Sequence, residues 1–234
     1  MLEKLRSSSR TTEVDSVGRQ ILDAIKKGDW SADTHLSSLQ VELSQNSEAL
    51  NTAIKRDKSE SELDSNDDKR DTDTRDVFYF TRGFLHHPDE ATQQAAQTVQ
   101  AVLDKYTLEM VRKSNAIQSS LTESLLKDLK TTDVQASVDA LSGLSVLIAR
   151  LEDSQAVVKK ANLTYLANKA SDENQANATE LKKELLNNIN DKLVVYLRAM
   201  IQVDEARYRD LFDTMAQIIE VNNINVKKRS NKAE

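Results

Sequence analysis

His86 and His87 stand beside Pro88, Asp89 and Glu90, and this corner gathers the side chains best suited to hold a metal or move a proton. A metal site could draw on such imidazole and carboxylate groups. The spacing argues otherwise. Neighbouring residues on a helix point about 100° apart, and di-iron bundles place a Glu three residues before each ligating His. No Glu holds that position ahead of His35, His86 or His87. The expectation is a helix-end pair with one ring packed and one in solvent.

The run Asp71-Thr72-Asp73-Thr74-Arg75-Asp76 begins like a calcium loop, with acids at its first and third positions. Arg75 then fills the fifth position, Asp76 replaces the turn glycine, and Arg82 replaces the closing glutamate. A solvated helix with Asp–Arg pairs three and four residues apart explains the same letters. Nucleophilic catalysis finds little support: there is no Gly-x-Ser-x-Gly, no glycine-rich phosphate loop, and no Ser-x-x-Lys in a convincing setting. With no cysteine in the chain, thiol catalysis, disulfides and Cys-ligated zinc are excluded. The expected lists of catalytic, cofactor-binding and metal-ligating residues are therefore empty. No cofactor is expected.

The net charge is -6, and it is concentrated. From Asp57 to Asp76 nine acids face four bases, and Leu63 is nearly the only apolar residue. Such a segment has little to bury, so its first half is expected to be an exposed, mobile loop that re-enters helix near Leu63. The basic residues Lys227, Lys228, Arg229 and Lys232 form the one opposite cluster. They are expected to form a frayed tail over 227–234 that complements the negative end of the last helix. Without a basic stripe or interleaved aromatics, binding of nucleic acid is not expected.

Such groups would have to be positioned by helices. Four glycines and one proline in 234 residues leave long stretches without a breaker, which predicts an all-α chain. With 38% hydrophobic, 4% aromatic and 30% charged residues, an elongated bundle of about six to eight long amphipathic helices is expected. Apolar residues recur at helical spacing from Val14 to Ile25, Leu36 to Ile54, Ala91 to Tyr106, Ile117 to Leu129 and Val134 to Tyr165. Further stripes run from Leu181 to Val203 and from Tyr208 to Ile224, with a kink near Asp204. Leu144, Ile148, Leu185 and Leu193 are expected in the core. One domain over 1–234 is expected, with a subdivision near 107–113 into 1–106 and 114–229 as the variant. The polar run Ala170 to Ala178 reads as a turn.

The pair Arg75-Asp76 ahead of an aromatic helix end, then His87-Pro88-Asp89 and Ala95-Ala96, resembles an uncharacterised all-helical family of Bacteroides-type bacteria, a domain of unknown function. Tyr208, Phe212 and the asparagines Asn222 and Asn223 before a basic end add to the likeness. The resemblance implies helical architecture and a bacterial origin, and it brings no catalytic residue.

Three functional classes follow. The leading one is a non-enzymatic helical scaffold, adaptor or assembly protein that acts through its surface on a protein partner or a second copy. The alternative is an enzyme or metal-binding bundle with a site near the His86-His87 corner. The third is a membrane-active bundle, against which the short apolar runs speak. The N-terminus carries no signal-type apolar run, so a cytoplasmic location without stable membrane insertion is expected.

Overall fold

The computed structural model describes residues 1–171 and 176–232. The fold is all-α, with 83% of residues helical and no strand among the described residues. In chain order the helices are α1 (Thr11–Ile25), α2 (Thr34–Phe84) and α3 (Glu90–Leu103). A 3-10 turn (Leu108–Arg112) then leads to α4 (Asn115–Leu129), α5 (Thr132–Ala140) and α6 (Leu144–Ser171). Beyond them α7 (Ala178–Asn187), a π segment (Asn188–Leu193) and α8 (Val194–Val203) run on without a break. The last helix is α9 (Glu205–Ser230).

The chain forms two compact units, Met1–Lys58 with Asn168–Glu234, and Ser59–Ala167. The first unit joins both chain ends. Its core sets Leu2, Ile21, Ile25, Leu36 and Leu43 against Leu185, Leu193, Leu197 and Met215. The ten residues before α1 are held by side chains that imitate backbone. Asn190 accepts from Leu5 N (2.7 Å) and donates to Leu5 O (2.9 Å). Asn223 accepts from Arg6 N (3.0 Å) and donates to Lys4 O (2.9 Å). Each asparagine satisfies backbone groups that no helix pairs.

The second unit packs Val77 and Phe78 of α2 with Ala96, Val99 and Leu103 of α3, Leu125 and Leu129 of α4, and Leu144 and Leu151 of α6. The patch 107–113 lies inside this unit, where Thr107 takes a φ of 56° and opens the 3-10 turn. The two units divide at 58/59 and 167/168, away from that patch.

Several expectations are corrected. The acidic segment is not a loop. It lies within α2, and Ser59, Leu63, Arg70, Asp73 and Thr74 are buried. Its inward face is polar, so apolar periodicity did not mark it. The stripe from Val134 to Tyr165 is two helices, because Gly143 takes a φ of 99° and α5 meets α6 at 118°. Only a residue without a Cβ adopts that φ at low cost. The tail is not frayed over 227–232: α9 continues to Ser230, Val226 is buried, and Arg229 pairs with Glu13. Ala233 and Glu234 lie outside the described residues, as do residues 172–175 of the expected turn at 170–178.

Leu144, Ile148, Leu185 and Leu193 are core residues, as expected. Asp204 leaves helical geometry at a φ of -145° and separates α8 from α9. Among the described residues no single helix is long and apolar enough to cross a membrane. The bent pair α5–α6 reaches that composition, but Val138, Leu144 and Leu151 are buried in the second unit's core.

Candidate functional site

A grouping of polar and aromatic side chains lies in the first unit, around Asp33. After α1 the chain turns through Gly28, where a Cβ would lie 2.7 Å from the Trp30 ring. That contact fits only glycine. Trp30 then donates its indole N–H to Ile25 O at 2.7 Å, and its own carbonyl accepts from Asp33 N at 2.8 Å. This turn delivers Asp33 to the start of α2 as the N-cap residue, with Leu36 N donating to its carboxylate at 2.9 Å.

Two tyrosines from the far end of the chain complete the hub. Tyr196 of α8 donates to both Asp33 oxygens (2.8 and 2.7 Å), and Tyr208 of α9 donates to Oδ2 at 2.5 Å. Their rings sit edge to face at 6.4 Å. Trp30 stacks on Tyr208 at 5.4 Å, and His35 tilts against Tyr196 at 4.8 Å. The Arg207 guanidinium lies 5.8 Å from the Trp30 ring centre and 5.7 Å from that of Tyr208. Its position suits a cation–π contact.

The electrostatics favour fastening over proton transfer. Burial alone would raise the Asp33 carboxyl. The Leu36 amide, both tyrosine hydroxyls and the Arg207 charge more than offset it and hold Asp33 below the ordinary carboxylate range. Burial and the same carboxylate push both Tyr196 and Tyr208 up. An ionised acid and two neutral phenols are thus locked in one another's bonds. None sits near the neutral range where a general base works best.

A second polar grouping lies inside the second unit. Arg70 of α2 is fully buried and donates to Ser119 Oγ (2.8 Å) and Gln155 Oε1 (3.0 Å), besides pairing with Asp67. One turn on, buried Asp73 receives Lys69 (2.7 Å) and Arg150 (2.7 Å). Gln118 donates to Asp71 at 2.6 Å. This layer ties α2 to α4 and α6 through charge and amide pairs in place of apolar contacts.

The His86-His87 corner does not assemble a site. Both residues are exposed; His87 stacks on Phe84 at 5.8 Å, and its Nδ1 accepts from Asp89 N at 3.2 Å. Asp89 caps α3 through Thr92 N at 2.8 Å. Among the described residues no group of three His, Asp or Glu side chains could hold a metal ion. The Asp71–Asp76 run is helical and not a calcium loop.

Tyr196 and Tyr208 fall within the stripes Leu181 to Val203 and Tyr208 to Ile224, and neither spacing signals that their hydroxyls meet on Asp33. The one signal was local: an acid placed three residues after the only tryptophan, at a helix start.

No curated protein and no solved structure matches the chain. A family model matches residues 60–216, a span that includes Tyr196, Arg207 and Tyr208 and leaves out Trp30 and Asp33, and by this match the chain belongs to the family of unknown function DUF6261.

Proposed function

We propose that the protein is a non-enzymatic helical scaffold or adaptor that docks a protein partner or a second copy on its surface, in the cytoplasm of a Bacteroides-type bacterium. The observation that carries this reading is the outer face of α6. There Leu163 is 68% exposed and Leu166 49% exposed, one turn apart. Val146 and Val157 of the same helix are exposed as well. Scattered single apolar residues need no explanation, but two leucines on successive turns form an anchor of the kind that helix docking uses. The groups with better chemistry, Asp33 and Arg70, are meanwhile engaged in holding helices together.

The test pairs the full chain with a Leu163→Glu/Leu166→Glu variant. Sedimentation velocity over a concentration series and affinity capture with both baits are compared. Self-association or a captured partner that the variant loses supports the reading, and equal behaviour of the two contradicts it. Calorimetry with divalent metals addresses the His86-His87 alternative, since tight stoichiometric binding there would overturn a non-enzymatic scaffold.

A further inference from the structure

Beside the Asp33 hub, the end of α1 and the start of α9 enclose a cleft of about 310 Å³. Its wall carries Lys27, Asp29, Trp30, Arg207, Asp210 and Thr214. We propose that this cleft binds a free α-amino acid in its zwitterionic form, with an aromatic or large apolar side chain laid against Trp30.

Size comes first. Ligand pockets span about 300–1,000 Å³, so this cleft suits one small molecule. Next is the carboxylate end. Arg207 is exposed, and among the described residues its guanidinium makes no hydrogen bond or ion pair. The acids near it are already engaged: Asp29 accepts from Ser31 N at 3.0 Å, and Asp33 is saturated by Leu36 N and the two tyrosines. Arg207 therefore stands over Trp30 and Tyr208 with its planar fork open, the geometry that receives a carboxylate on two parallel bonds.

The ammonium end has its own partner. Asp210 lies one turn after Arg207 on α9, lines the same cleft, and has no partner among the described residues. The last turn of α1, whose dipole is negative, closes the other side. Lys27 and Arg207 cancel Asp29 and Asp210, so the wall has no net charge. A lone anion meets two acids there, and a lone cation meets two bases. A molecule that bears both charges satisfies both.

The apolar wall is set in advance. Trp30 is fixed by its bond to Ile25 O, by the Gly28 backbone beneath it and by the Tyr208 ring behind it. A wall held before the ligand arrives lowers the ordering cost of binding.

Trp30 is the only tryptophan, so its emission reports on this cleft alone. L-phenylalanine, 3-phenylpropionate and phenethylamine share one ring and differ in which charges they carry. In calorimetry and Trp30 fluorescence, L-phenylalanine is expected to saturate the site. Each single-charge analogue should bind at least about tenfold more weakly, a difference of about 1.4 kcal/mol. Arg207→Gln and Asp210→Asn change exposed side chains, and each should weaken L-phenylalanine by about tenfold, with the helical circular dichroism spectrum unchanged. The proposal is overturned by the absence of saturable heat up to about 10 mM. An analogue that binds as tightly as the zwitterion would also overturn it, as would two variants that bind like the parent. The docking face on α6 shares no residue with this cleft, so that reading stands or falls separately.

Discussion

Tyr196 places its hydroxyl against both carboxylate oxygens of Asp33, at 2.8 and 2.7 Å, across 163 residues of sequence. With Tyr208 on the same carboxylate, one buried acid fastens the start of α2 to α8 and α9. The first unit owes its closure to this knot as well as to its leucine core.

Removal of the acid should be costly. Asp33→Ala leaves the hydroxyls of buried Tyr208 and half-buried Tyr196 and a cap amide without their acceptor, and hydrogen bonds to a charged group contribute about 1.5–3 kcal/mol each. A loss of at least about 3 kcal/mol is expected in urea unfolding. A loss under about half a kcal/mol would place the carboxylate outside the fastening.

Acid should weaken the same knot. The folded carboxyl of Asp33 lies below its usual value of 3.8. A lowered folded value means that the unfolded chain binds the proton first, so the contribution is present above about pH 4 and is lost as pH falls through the folded value. The urea midpoint should drop between about pH 5 and pH 3, and Asp33→Asn should flatten that drop. An equal slope in the two proteins would show that other acids, such as Glu13 or Asp73, govern the acid limb.

The acidic half of α2 should be slow to exchange. Leu63, Arg70, Asp73 and Thr74 are buried, and the polar layer ties them to α4 and α6. Amide hydrogen exchange across residues 63–76 is expected to be among the slowest in the second unit. Exchange as fast as at the chain ends would return the segment to a mobile loop.

Gly143→Ala should destabilise the second unit. At a φ of 99° a Cβ is strained, and it would stand 3.2 Å from the Phe80 ring. The expected cost is at least about 1 kcal/mol in thermal or urea melts. An unchanged midpoint would mean that α5 and α6 can join by another path.

The all-α class and the four core residues Leu144, Ile148, Leu185 and Leu193 were legible because each rests on a local rule: few breakers and a period of 3.6 residues. The acidic part of α2 was not, because Ser59, Arg70, Asp73 and Thr74 face inward and an apolar pattern cannot show a polar interior. The break at Gly143 was hidden by the opposite effect. Val138, Leu141, Leu144 and Ile148 stay in phase on both sides of it, and all are buried. Of the Asp33 hub only the cap was local. Its bonds to Tyr196 and Tyr208 depend on how α8 and α9 return to the N-terminal helices, which no spacing within either stripe encodes.

Asp33 and Tyr208 fasten α9 to the start of α2 through one hydrogen bond. A double-mutant cycle of Asp33→Asn and Tyr208→Phe, read by urea unfolding at pH 7, tests it most directly, since the cycle isolates the pairwise contribution. A coupling of at least about 1 kcal/mol is expected, with each single variant less stable than the parent. Additive single effects, with a coupling inside about 0.3 kcal/mol, would contradict the claim.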